Sequence, residues 1–153
     1  MFATILASAL IVSLAVLIHY EMLRFLSLQI PKMNIVARAK VLFALLGALL
    51  AHVAEVMVFA LGFYWMVNAS DSKRFNFGEL YDLDGNLLVK LQDCIYFSFS
   101  SYTSLGLGDL YPLGPIRFLT GMEALTGLVL ITWTASFIYL EMQRDWQPGR
   151  GLD

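Results

Sequence analysis

The sequence predicts an all-α membrane protein with three transmembrane helices, a re-entrant helix and an extended return between the second and third. Three observations carry that prediction. Of 153 residues, 59% are hydrophobic and only 14% charged, with a mean hydropathy of +0.70, more oil and less charge than a soluble domain of this length carries. The charges are segregated, leaving three long apolar runs. Between the last two runs sits a glycine-rich octet, TSLGLGDL, from Thr103 to Leu110.

The first run, Phe2 to Ile18, holds no charge and at about 1.5 Å per residue just crosses a hydrocarbon core of about 30 Å. No Lys or Arg precedes it, and it ends in His19-Tyr20-Glu21 without a small-residue cleavage site, so residues 1–20 are expected to be a retained helix and not a cleaved leader. Residues 21–40 carry Arg24, Lys32, Arg38 and Lys40 against one acid, Glu21, which marks a cytoplasmic linker. That orientation puts the N-terminus outside a cell (inner) membrane and the C-terminus in the cytoplasm. The second helix, 41–67, has one acid, Glu55. The external segment 68–90 holds Asp71, Glu79, Asp82 and Asp84 against Lys73, Arg74 and Lys90. The third helix, 115–141, has one acid well inside it, Glu123, and a short cytoplasmic tail covers 142–153. Phe63, Tyr64 and Trp65 fall at the outer interface and Tyr139 and Trp146 at the inner one, where amphipathic rings prefer to lie. The single cysteine, Cys94, leaves no internal disulfide.

The octet is flanked on both sides by external segments. Residues 91–103 are aromatic and helix-compatible, with Asp93 where a helix N-terminus favours an acid. A dozen helical residues reach about 18 Å into the membrane, and five extended ones at about 3.3 Å each climb back almost as far. An extended return leaves carbonyls unpaired, which a bilayer tolerates only where they are buried in protein or line a watery path. Gly106 and Gly108 adopt positive φ at little cost. Alternating left- and right-handed residues turns successive carbonyls to one side and sends Leu105 and Leu107 into protein. Oxygens at close quarters replace the water shell of a cation, and the short helix aims its negative C-terminal end at the membrane centre.

The stretch YFSFSSYTSLGLGDLYP resembles the pore loop of tetrameric potassium channels, whose filter reads Thr-Val-Gly-Tyr-Gly-Asp. The resemblance covers roughly 41–141. It implies outer helix 41–67, extracellular turret 68–90, pore helix 91–103, filter 104–109 and inner helix 115–141, with an extra N-terminal helix. The run from Leu113 to Trp146 is similar to the inner helix of small bacterial two-pore-domain-like channels, although this chain has one pore loop. The implied filter is Ser104, Leu105, Gly106, Leu107, Gly108 and Asp109, with Thr103 just below. K+ would lie at the carbonyls of Ser104, Leu105, Gly106 and Leu107. Three positions depart from the family: Ser for Thr, Leu for Val and Leu for Tyr. The family's filter tyrosine is held by a pore-helix tryptophan, and Phe97 stands at that position, so both partners of a hydrogen bond have become apolar. Tyr96 matches an aromatic that bonds the filter aspartate. Ser100 replaces a glutamate found behind some filters. Gly127 resembles a hinge glycine, with close helix packing an equal alternative.

The resemblance implies a homotetramer in a lipid bilayer, conducting K+ passively and needing no cofactor beyond K+ ions. Monovalent cations are the expected ligands, nucleic acid is not an expected partner, and no enzyme is expected. Alternatives are a weakly selective Na+/K+ pore and a non-conducting scaffold or accessory subunit. His52, Glu55 and Glu123 form a candidate intramembrane polar cluster. His52 and Glu55, at i and i+3, share a helix face and could bind a metal, sense protons or hydrogen-bond structurally; the structural role is favoured. An enzyme built on these three lacks a nucleophile or full ligand set. Asp82-Leu-Asp84-Gly85-Asn86 lacks the glutamate that completes a calcium loop and reads as a surface turn.

Overall fold

The computed structural model describes residues 2–71 and 76–146. Lys73, Arg74, the chain beyond 146 and the side chains of Asp71 and Trp146 lie outside what it describes. Three helices are long and apolar enough to cross a membrane. They are α1 (Phe2–Gln29), α2 (Ala37–Asp71) and α4 (Arg117–Trp146), with a shorter helix α3 (Leu91–Tyr102) between the last two.

Each spanning helix runs past its expected end. α1 continues from the apolar run through Leu23 and Leu26, both buried, and a 3-10 turn follows at Ile30–Lys32. The basic linker expected over 21–40 is therefore mostly helical, and little more than residues 33–36 separates α1 from α2. Likewise α2 exceeds 41–67 and α4 starts later and ends later than 115–141. Hydropathy marks the part of a helix that lies in hydrocarbon, whereas backbone hydrogen bonding carries on into the polar interface.

α1 packs on α2 and α4, and α3 wedges between α2 and α4. Small residues bring the backbones together. A methyl on Gly47 would come within 2.6 Å of Leu26 Cδ2, and one on Gly62 within 2.6 Å of Ile11 Cδ1. Two apolar clusters result. One gathers Phe59, Phe63, Met66, Phe77, Leu80, Phe97 and Leu119. The other gathers Leu23, Leu26, Ile30, Ala44 and Ala48. Between them along α1 and α2 lie His19 and Glu55, both fully buried.

One feature lies outside the all-α expectation. Strand β1 (Glu79–Asp82) pairs antiparallel with β2 (Leu110–Leu113), in the register Glu79↔Leu113 to Asp82↔Leu110. Tyr81 and Tyr111 stack across it with ring centroids 6.1 Å apart. This small sheet ties the segment between α2 and α3 to the chain leaving the octet. The expected surface turn closes β1: Asn86 N–H donates to Asp82 Oδ1 at 2.8 Å, and Gly85 sits at φ 79°. The Asn86 side-chain amide, then its backbone N–H, hold the Asp82 carboxyl below the usual carboxylate range.

Candidate functional site: the re-entrant loop and its supports

α3 ends at Tyr102, and Thr103 caps it, its hydroxyl donating to Phe99 O at 2.8 Å. From there the chain turns back in the alternating conformation expected. φ is positive at Gly106 (56°) and Gly108 (80°), and also at Ser104 (56°). Ser104 is the position that composition did not flag, because a serine in the left-handed region carries a steric cost that glycine does not.

The N–H groups from Ser104 to Leu107 turn back to α3. Ser104 N–H reaches Ser101 O (3.0 Å), Leu105 N–H reaches Ser100 O (2.9 Å), and Gly106 N–H reaches the same carbonyl (3.3 Å). Leu107 N–H reaches the Ser100 hydroxyl at 3.3 Å. Ser100 thus holds three consecutive amides from behind. Among the described residues no hydrogen bond takes a carbonyl of 104–108 as its acceptor. The amides of residues 104–107 are thus satisfied from α3, while their carbonyls keep no donor among the described residues.

Tyr96 donates its hydroxyl to Asp109 Oδ2 at 2.7 Å, the bond implied for these two positions. Phe97 is buried, its ring edge-on to Phe63 at 5.1 Å. Leu105 and Leu107, expected to point into protein, are 63% and 57% exposed on the single chain.

Gly127 is closely packed. A methyl there would lie 2.0 Å from Tyr102 O and 2.9 Å from Tyr102 C, inside any tolerable contact. α4 is continuous through it, and the glycine lets the end of α3 rest on the α4 backbone.

The polar cluster expected from His52, Glu55 and Glu123 divides in two. Glu123 stands apart, with Ser98 Oγ against its Oε1. Ser98 also reaches Val56 O at 2.9 Å, so its one hydroxyl proton faces two oxygens. Glu123 Oε2 has no partner among the described residues. One turn further along α3, Glu55 gathers a different set. His19 Nδ1 lies 2.8 Å from its Oε1 and His52 Nδ1 3.2 Å from its Oε2, while the Tyr102 hydroxyl donates to that same Oε2. Thr134 Oγ1 lies 2.9 Å from His52 Nε2 and 3.4 Å from His19 Nε2. The correction follows from helix geometry. Glu123 lies more than two turns from Thr134 on α4 and so meets α3 at Ser98, not Tyr102. His19, Tyr102 and Thr134 were missed. His19 sat at the end of an apolar run and read as a boundary, and neither a lone Tyr nor a lone Thr in an apolar stretch signals a shared site.

A family model described as ion channel matches residues 51–144, a segment that begins within α2 and takes in the whole loop and most of α4. No curated protein matches the chain, and no solved structure does.

Proposed function

The chain belongs to the ion channel family, and from that premise we propose that it conducts K+ passively as a homotetramer, four copies surrounding one axis with the strand 104–109. The observation that carries this reading is the strand itself. Ser104, Gly106 and Gly108 are left-handed, every N–H from 104 to 107 is tied to α3, and the carbonyls are free. One such strand offers oxygens from one side only. Four of them replace a hydration shell. The exposed Leu105 and Leu107 are then covered by the neighbouring copy. In this reading Thr103 to Asp109 form the filter, Tyr96, Phe97 and Ser100 support it, and K+ sits at the carbonyls of Ser104 to Leu107. The basic residues flanking the α1–α2 turn favour a cytoplasmic position for it in the cell membrane.

A weakly selective Na+/K+ pore is the second reading, favoured by the apolar pair Phe97 and Leu107, which lacks a directional bond to fix the filter's diameter. Flux into liposomes holding purified protein, with K+ and Na+ compared, tests both. K+ flux at least tenfold above Na+ supports the first, comparable fluxes support the second, and no flux of either ion leaves the scaffold reading.

A further inference from the structure

We infer that His19, His52 and Glu55 form a binding site for a divalent transition-metal cation of the zinc class, with the Tyr102 hydroxyl at a fourth corner. One ligand atom from each of the first three lies within 4.8 Å of the others. Both imidazoles present Nδ1 to the same carboxylate, at 2.8 and 3.2 Å. Tyr102 Oη lies 2.8 Å from His52 Nδ1. Tetrahedral zinc with bonds of about 2.0–2.1 Å separates its ligand atoms by about 3.3–3.5 Å, so the two histidine contacts at 2.8 and 3.2 Å open by less than about 1 Å to admit an ion, and the Tyr102–Glu55 contact opens further. Nitrogen and carboxylate donors together suit this class of metal and not K+, Mg2+ or Ca2+.

The hydrogen count points the same way. A neutral imidazole carries one proton. With that proton on Nδ1, facing Glu55, each histidine presents a bare Nε2 to Thr134, and one hydroxyl proton cannot serve both. An ion on the two Nδ1 atoms moves each imidazole proton to Nε2. Both N–H groups then donate to Thr134 Oγ1, which has two lone pairs, at the 2.9 and 3.4 Å already present. That is the outer partner a metal-bound histidine ordinarily has. The ion also answers a charge. Glu55 is fully buried within a spanning helix, and among the described residues no Lys or Arg reaches it. His52 is partly open, 15% exposed at its side chain. With Tyr102 and Thr134 it lines a cavity of about 640 Å³ between α2, α3 and α4.

The site joins all four helices. His19 comes from the helix outside the matched segment 51–144, and the other groups come from inside it. Tyr102 ends α3 just before the filter strand, so an ion here pins the added helix to the base of that strand.

Only two histidines occur in the chain, so an untagged protein gives an unambiguous readout. Protein in lipid nanodiscs is stripped with a chelator and titrated with Co2+, then with Zn2+ as competitor. Visible d–d bands saturating at one Co2+ per chain and displaced by one Zn2+ are expected. Glu55→Gln and His19→Gln should abolish the bands, and Thr134→Val, which keeps the shape but removes the shared acceptor, should weaken binding about ten- to a hundredfold. No bands in the wild-type protein, or wild-type bands in His19→Gln, overturn the site. Binding is read without flux, so a failure here leaves the channel reading untouched, and a failure of flux leaves this one untouched.

Discussion

Gly127→Ala separates two roles that one glycine on a spanning helix can play. If it is a hinge, a methyl group stiffens α4 and changes opening, with thermal stability unchanged or raised by the better helix propensity of alanine, about 1 kcal/mol. If it is a packing site, the methyl must displace the end of α3, because it would lie 2.0 Å from Tyr102 O. Contact at about 3.4 Å requires α3 and α4 to part by more than an ångström. The atom in the way is backbone and cannot rotate aside. Overpacking of this kind costs about 1–3 kcal/mol per chain, and the displaced element carries Thr103 and Ser104. Gly121→Ala is the internal control. It sits on the same helix, and a methyl there meets nothing within 4 Å on the single chain, so only the propensity gain applies. The assay is thermal unfolding of purified protein in mild detergent, with K+ flux on the same preparations. Gly127→Ala should lower the midpoint and reduce flux at least tenfold, and Gly121→Ala should leave the midpoint equal or higher. A Gly127→Ala protein that melts at or above wild type refutes the packing argument and restores the hinge.

Other expectations are sharper in the filter and the turn. Gly106→Ala should abolish K+ flux while membrane insertion persists, because an L side chain at φ 56° costs about 1–2 kcal/mol per chain and open space around the position offers no other penalty; wild-type flux would mean the carbonyl strand is not the path. Leu107→Tyr with Phe97→Trp should raise the K+/Na+ permeability ratio above wild type by restoring an oriented bond, whereas Leu107→Tyr alone buries an unpartnered hydroxyl at about 1–3 kcal/mol; bi-ionic reversal potentials for the three proteins decide it, and equal ratios mean the positions are uncoupled. In the external turn, Asp82 has a depressed folded-state pKa, so its bonds stabilise the turn above the usual Asp range and are lost as pH falls through the lowered value. Asn86→Ala should raise that pKa toward the ordinary one, read by NMR titration of the Asp82 carboxyl, and an unmoved pKa would show that Asn86 is not its cause.

The three spans, the re-entrant helix and the extended return were legible because each rests on a local signal: run length, an acid at Asp93, and glycines two apart. The Tyr96–Asp109 bond was legible from the resemblance alone. The paired strands were not, since four-residue segments such as Glu79–Asp82 and Leu110–Leu113 carry too short an alternation, and their pairing spans the whole of α3. The left-handed serine was invisible for a related reason: its conformation is imposed by Ser101 and Ser100 carbonyls behind it, not by its own propensity. The His19–Glu55–His52 group was half visible. Helical spacing joins His52 to Glu55, but no periodicity links residue 19 to residue 55; only the antiparallel packing of α1 on α2 does.

The grip of Ser100 on the return strand also bears on assembly. Because its carbonyl and hydroxyl take the N–H groups of Leu105, Gly106 and Leu107 within one chain, the bonds that wind the strand need no partner. In the proposed tetramer, association of four such chains would then have less disorder to overcome, which is how preorganisation strengthens a contact without adding area to it. In that assembly each quarter of the ring would be answerable to its own serine. A chain altered at Ser100 and mixed with normal ones would deform its own edge of the oxygen ring while the other three kept theirs, so the defect would grade with the number of altered copies.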